Sequence, residues 1–145
     1  MLSPLAYYAI LFVVCAYAFL CGRADERLAA ATCIVATFAT NLVYSPVGSY
    51  AGVETGVLIV DSLALLGFMF IALRTDRFWP LWIAGLQLTT LVGHALKAID
   101  PLLIPQVYAA AARFWVYPIF LIIVIGTWRS HQRTRNDTDG TAYPS

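Results

Sequence analysis

The chain has 145 residues, of which 61% are hydrophobic and 12% are charged, and its mean hydropathy is +0.76. So few charged residues cannot coat a soluble globule of this size. The net charge of +1 gives no excess of positive charge for binding nucleic acid. Composition therefore excludes an ordinary soluble domain and a nucleic-acid-binding protein, and it favours a single domain in a membrane.

Five apolar segments follow one another along the chain, each close to the length that crosses a bilayer. Lipid offers no partner to backbone polar groups, so an apolar run of about 20 residues is expected to cross as a helix. The sequence therefore predicts an all-α integral membrane bundle of five transmembrane helices within one domain, residues 1–128. The predicted spans are residues 5–21, 28–44, 53–73, 78–96 and 102–128.

Local signals set the ends of these segments. No Lys or Arg precedes Leu5, so we interpret the first segment as a retained span; a signal peptide would have a basic start. The second segment ends at Ser45-Pro46, because proline cannot continue a helix. The tail, residues 129–145, is polar and lacks helical periodicity, and we expect it to be disordered.

Arginine is concentrated in alternate connectors, and cytoplasmic loops of membrane proteins carry an excess of Lys and Arg. Outside the predicted spans, every Lys and Arg except Lys97 lies in the first connector, the third connector or the tail, and Lys97 lies in the fourth connector. We therefore expect the N-terminus to lie outside and the C-terminus in the cytoplasm. The residues on the predicted inner side are Arg23, Arg27, Arg74, Arg77, Arg129, Arg133 and Arg135.

Polar and ionisable side chains interrupt the last four apolar segments. A charged side chain at the centre of a bilayer costs about 2.5–3.5 kcal/mol on insertion scales, so such residues tend to be paired, hydrated or functional. Residues seven apart lie on nearly the same helix face, which gives each of these spans one polar stripe. The stripes should face one another as a buried polar cluster of Asn41, Glu54, Asp61, Gln87, His94, Arg113 and Tyr117.

Asp61 lies about eight residues below the outer end of its span and Arg113 about eight residues below Pro105, which gives each a depth of about 12 Å at 1.5 Å per residue. We therefore predict an ion pair between them. Glu54, His94 and Asn41 lie nearer the outer surface, and the inner halves of the spans are almost purely apolar. This pattern predicts a polar pocket that opens outward and is closed inward.

Three uses of the polar cluster remain open. The paired charges can simply fix helix register, they can carry a proton, an ion or a small polar solute, or carboxylates with His94 can act on a lipid headgroup. Since the chain has no catalytic motif, we prefer a non-enzymatic accessory or scaffold subunit of a larger or homo-oligomeric membrane assembly. A small carrier or channel is the alternative, and a lipid-modifying enzyme is a distant third.

Small residues provide candidate packing surfaces between helices. Gly85, Thr89 and Gly93 form a small-xxx-small stripe on the fourth span, and Gly52 and Gly56 repeat the pattern on the third. Such stripes allow close helix approach, either within one copy or between copies. The expected partners are the lipid bilayer and a membrane protein or a second copy of this chain.

Several cofactor and catalytic signatures are missing from the sequence. A haem held by two histidines needs a second intramembrane histidine besides His94. There is no HExxH, no GxSG and no glycine-rich phosphate loop. Cys15, Cys21 and Cys33 form no CxxC pair. We therefore expect no cofactor, no metal and no catalytic residue.

Two stretches resemble segments of small, uncharacterised, polytopic inner-membrane proteins of alphaproteobacteria. They are RTDRFWPLWIAGLQ, residues 74–87, and FWVYP, residues 114–118. The resemblance covers predicted spans three to five, about half the chain. It implies location in the bacterial inner membrane, and it gives no activity to transfer.

Overall fold

The computed structural model describes residues 4–43, 55–99 and 114–140. These residues form helices and no strand, so the all-helical prediction is confirmed for the described part of the chain. The helices are α1 (Pro4–Cys21), α2 (Ala24–Val43), α3 (Thr55–Arg74), α4 (Trp79–Ile99) and α5 (Val116–Gly140).

Neighbouring helices in the chain are neighbours in space, and α5 closes the circle. α1 packs on α2, α2 on α3 and α3 on α4. α5 packs against α4 and α1, and less extensively against α2. Two residues join α1 to α2 and four join α3 to α4, so each pair forms an antiparallel hairpin.

Gly22 makes the turn from α1 to α2. Its N–H donates to the carbonyl oxygen of Ala18 at 2.9 Å. A Cβ on Gly22 would overlap that oxygen and would lie 2.8 Å from Cβ of Glu26. Glycine is therefore required for so short a turn, because any side chain would push the two helices apart.

α2 begins at Ala24, four residues before the start that the sequence predicts, Leu28. The Glu26 carboxylate accepts the N–H of Arg23 at 2.9 Å, which satisfies one of the free donors at the helix start. Asp25 and Glu26 also lie in the first turn, where negative charge interacts favourably with the helix dipole. These acidic residues therefore belong to the helix and extend it by one turn.

The bundle has two chemically different ends. The arginine end contains the C-termini of α1 and α3 and the N-termini of α2 and α4. Gly126 of α5 also lies there, since a Cβ on it would be 3.3 Å from the indole of Trp79. At the other end, here called the tyrosine end, the ring centroids of Tyr7 and Phe120 are 5.9 Å apart. α5 therefore runs from the tyrosine end to the arginine end.

Large apolar side chains cover the outside of each described helix, while small ones fill much of the inside. Leu42 is 88% exposed and Trp82 70%. Ala18, Ala29 and Ala30 are fully buried, which lets α1 and α2 approach closely. The larger buried side chains are those of Leu11, Phe68, Ile71, Ile83, Ile119, Phe120 and Ile123.

Among the described helices, α3 alone is long and apolar enough to cross a membrane when judged by length and composition. Leu5–Cys21 of α1 is apolar but shorter. The helix bounds of α2 and α5 include charged residues, which lowers their mean hydropathy. The five-span arrangement is not established by this measure.

α5 continues to Gly140, beyond Trp128, into the segment that the sequence predicts to be disordered. The hydroxyl groups of Thr134 and Thr138 donate to carbonyl oxygens one turn earlier, at 3.2 and 2.8 Å. The described side chains of 131–138 are exposed. The buried part of α5 supplies a formed helix, and adding polar residues to an existing helix needs no new nucleus.

Candidate polar site between α3 and α4

Asp61 of α3 faces two polar side chains of α4. Its Oδ2 lies 2.7 Å from Nε2 of His94, and its Oδ1 accepts a hydrogen bond from Nε2 of Gln87 at 3.2 Å. The side chain of Asp61 is 18% exposed and that of His94 is 7% exposed. The structure therefore brings three predicted members of the polar cluster together between two helices.

The arrangement follows from helical spacing. Gln87 and His94 are seven residues apart, which places both on the buried face of α4. Asp61 lies opposite them on the antiparallel helix α3. Gln87 Nε2 also lies 3.3 Å from the main-chain oxygen of Asp61, so one amide group contacts both the backbone and the side chain of Asp61.

One carboxylate oxygen of Asp61 accepts a hydrogen bond from an amide, and the other lies 2.7 Å from an imidazole nitrogen. Hydrogen bonds to an ionised group are stronger than neutral ones, and low local dielectric strengthens them further. The site can therefore fix the register of α3 against α4. It also has the parts needed to hold a proton between an imidazole nitrogen and a carboxylate oxygen.

A second polar layer joins α1 to α2 at the tyrosine end. The hydroxyl oxygens of Tyr7 and Thr37 are 3.1 Å apart, and the Tyr8 hydroxyl donates to Oδ1 of Asn41 at 3.0 Å. The Asn41 amide donates to the Thr37 carbonyl at 2.9 Å. Asn41 is exposed and bonds to α1, so these contacts place it outside the Asp61 site.

The other residues of the predicted polar cluster lie away from Asp61 or outside the described residues. Tyr117 lies half-buried in the first turn of α5. Glu54 and Arg113 lie outside the described residues, so the Asp61–Arg113 ion pair stays a prediction. Lys97, which the sequence places in a connector, is buried in the last turn of α4, where a cation interacts favourably with the helix dipole.

A third polar cluster, at the arginine end, was missed by sequence reasoning. Glu26 is fully buried, and its Oε1 lies 2.7 Å from Nη1 of Arg77. Beside it, the Thr75 hydroxyl donates to Oδ2 of Asp25 at 3.0 Å. These contacts join the first turn of α2 to the α3–α4 turn. Asp25 and Glu26 lie next to each other among arginines in the sequence, which was a usable signal for ion pairing.

Three buried polar atoms near this end make no hydrogen bond within the part of the chain that the structure describes. They are Nε1 of Trp79, Oγ1 of Thr127 and Oγ of Ser130. Thr127 and Ser130 lie three residues apart on the buried side of α5, next to Gly126, on which the Trp79 ring packs. A buried hydroxyl without a hydrogen bond destabilises a fold. This layer is therefore less well hydrogen-bonded than the Glu26–Arg77 pair beside it.

No group of three or more His, Cys, Asp or Glu side chains is placed to hold a metal ion within residues 4–43, 55–99 and 114–140. The donors around Asp61 are already bonded to one another. Comparison of the chain with protein-family models, with curated proteins and with solved structures gives no match. Inferences about function therefore depend on the chemistry of the bundle alone.

Proposed function

We propose that this chain is a non-enzymatic multi-pass membrane protein that acts as an accessory or scaffold subunit of a larger or homo-oligomeric membrane assembly. One observation carries the proposal: large apolar side chains face outward on every described helix, while the ionisable groups between helices are bonded to one another. A soluble protein rarely exposes so much apolar surface, whereas lipid accepts it.

The proposed membrane topology has five spans, with the N-terminus outside and the arginine end in the cytoplasm of a bacterium. The distribution of arginine between the connectors supports this orientation. A bacterial inner membrane is the compartment that we propose. Reporter fusions in the connectors test it: we expect external activity at residues 45–52 and cytoplasmic activity at residues 22–23. A cytoplasmic reporter at residues 45–52 would contradict the proposal.

The pairing of polar groups supports a structural role for them. Asp61 is bonded to His94 and Gln87, and Glu26 is bonded to Arg77. The Asp61 contacts join α3 to α4, and the Glu26–Arg77 pair joins α2 to the α3–α4 turn. The contacts of Tyr7 and Tyr8 join α1 to α2. Groups that bond to one another in this way specify which helices meet and in what register.

The outward face of α4 offers a surface on which a partner helix can pack. A Cβ placed on Gly85 or Gly93 would meet nothing within 4 Å among the described residues, so the small-residue stripe points away from the described helices. The Thr89 hydroxyl between them donates to the Gly85 carbonyl at 3.0 Å, which leaves its methyl group at the surface. A second helix can therefore approach the α4 backbone closely.

Chemical cross-linking in native membranes, followed by purification in a mild detergent, tests the subunit role. We expect a discrete complex that Gly85→Leu and Gly93→Leu weaken, because a large side chain on the stripe blocks close approach. Ala95→Leu is the matched control, since Ala95 is exposed on the same helix beside the stripe. A stable monomer in native membranes would contradict the proposal.

A small proton or solute carrier is the second candidate, and the Asp61–His94 contact favours it. Buried ionisable pairs within apolar helices commonly mark proton or solute pathways. Proteoliposomes with a pH-sensitive dye inside test this activity: Asp61→Asn and His94→Gln should each abolish flux, while His131→Gln, in the exposed part of α5, should not. Flux that survives both substitutions would remove Asp61 and His94 from the mechanism.

A further inference from the structure

We propose that the arginine end binds the headgroups of anionic phospholipids through exposed arginines, chiefly Arg129, Arg133 and Arg135 of α5. This inference rests on the proposed membrane location and adds a ligand class to it. The observation that supports it is that the outward surface of α5 is apolar along one part of the helix and basic along the part that follows.

α5 presents a continuous stripe to the outside. Leu121, Ile125 and Trp128 are exposed, and their spacing of four and three residues places them on one face. Arg135 follows Trp128 by seven residues and extends the same face, while Arg129 and Arg133 lie on the adjoining side of the helix, about 100° and 140° around from Trp128. All three arginines are exposed on a helix that remains regular to Gly140.

Trp128 marks the change from apolar to basic surface. Tryptophan is enriched at membrane–water interfaces because its ring is apolar and its N–H is polar. The rise from Trp128 to Arg135 is about 10 Å at 1.5 Å per residue. The three guanidinium groups therefore fall within the depth occupied by headgroups, once the apolar part of α5 is in hydrocarbon.

Two acidic residues of this end are already bonded, and the exposed Asp76 and Asp137 are fewer than its exposed arginines. Glu26 is buried and pairs with Arg77, and Asp25 accepts a hydrogen bond from Thr75. Among the described residues, Arg77 is the one arginine of this end in an ion pair. The Arg74 guanidinium lies 5.2 Å from the centroid of the Phe70 ring on its own helix. The remaining exposed arginines of this end are Arg23, Arg27, Arg129, Arg133 and Arg135.

Phosphate diester headgroups fit these side chains chemically. A guanidinium group presents paired N–H donors that match two phosphate oxygens, and it stays charged at any physiological pH. Each Arg near an anionic membrane surface strengthens binding to that surface roughly fivefold. A lipid fits better than a nucleic acid, because the basic stripe is continuous with a surface that already faces lipid.

Reconstitution into nanodiscs of phosphatidylcholine with 0 to 40% phosphatidylglycerol, followed by native mass spectrometry of the released protein, tests the assignment. Arg129, Arg133 and Arg135 are replaced together by Gln in one variant and by Lys in another. Gln132→Ala with Asn136→Ala is the matched control on the same exposed surface, and circular dichroism verifies that each variant remains helical.

We expect the native chain to retain phosphatidylglycerol, the Gln variant to lose at least about tenfold in retention, and retention to fall with added salt. The Lys variant should keep most of the binding and the control all of it. Equal retention by the Gln variant, or retention of phosphatidylcholine to the same degree, would overturn the lipid assignment while leaving the membrane proposal intact. Preferential retention of an oligonucleotide over phosphatidylglycerol would overturn it in favour of nucleic acid. Failure of the native chain to enter nanodiscs would overturn the membrane proposal itself.

Discussion

His94 Nε2 and Asp61 Oδ2 lie 2.7 Å apart and join α3 to α4 in the part of the bundle remote from the arginine end. Gln87 bonds to the other carboxylate oxygen and to the main chain of Asp61. In the membrane location that we propose, interhelical polar contacts are worth less than their geometry suggests, because the separated helices find other partners. The contact is thus expected to specify register more than to supply stability.

Asp61→Asn and His94→Gln should each lower the free energy of unfolding by roughly 0.5–1.5 kcal/mol. The double variant should be less destabilised than the sum of the two, since either change alone removes the same contact. Unfolding by titration with sodium dodecyl sulfate in mixed micelles measures these values. His131→Gln, in the exposed part of α5, is the control and should change nothing. Strict additivity would show that the two side chains are not coupled.

Arg77→Ala should be more damaging, because it leaves the fully buried Glu26 carboxylate without its cation. We expect a loss of about 2–3 kcal/mol in unfolding free energy, at the lower end for a broken buried pair since Arg77 is partly exposed. Arg74→Ala, which removes an exposed cation from the Phe70 ring, should cost less than about 1 kcal/mol. Adding Glu26→Gln to Arg77→Ala should recover part of the loss; a further decrease would contradict the pairing.

Replacement by alanine should change the stability of the monomer differently at Gly126 and at Gly85. An added Cβ at Gly126 lies 3.3 Å from the Trp79 ring, while at Gly85 it meets nothing within 4 Å in residues 4–43, 55–99 and 114–140. Gly85→Ala should stabilise the monomer by up to about 1 kcal/mol through helix propensity. Gly126→Ala should give no such gain, and Gly126→Val should cost about 1–3 kcal/mol through overpacking. Equal effects at both positions would show that Trp79 does not pack on Gly126.

Thr127→Val should be neutral or stabilising by up to about 1 kcal/mol, because it removes a buried hydroxyl that has no partner among the described residues. Thr37→Val, which makes the same chemical change, should instead destabilise by about 1 kcal/mol, since it leaves the Tyr7 hydroxyl without its bond. Thermal unfolding in detergent, followed by circular dichroism, compares the two. A destabilised Thr127→Val variant would show that its hydroxyl has a partner.

The apolar pattern predicts the helical class and the approximate positions of α1 to α4, because hydrophobic run length depends on local sequence alone. It does not predict which helices extend beyond the apolar run. α2 begins earlier because Glu26 caps it, and α5 ends later because it grows from a packed helix. Both extensions depend on contacts that have no signature in hydropathy.

The short α3–α4 turn sets the relative depths of Asp61 on α3 and His94 on α4. Depths measured from the outer ends of the predicted spans put Arg113 level with Asp61 and put His94 above it. Counted from the arginine end, Asp61 is 13 residues before the end of α3 and His94 is 15 residues after the start of α4. These counts give depths of about 20 and 22 Å. The short α3–α4 turn fixes that end, so counting from it predicts the contact that counting from the outer ends misses.

The circular order of the helices has a consequence for biosynthesis. α5 is translated last, yet it covers α1 and α2, and Phe120 is the aromatic neighbour of Tyr7 on the first helix. Until α5 has left the ribosome, one flank of the oldest helices has no neighbour from the same chain. A premature stop codon before Val116 should therefore leave one side of the remaining helices uncovered, and cellular proteases should degrade that form faster than the full chain.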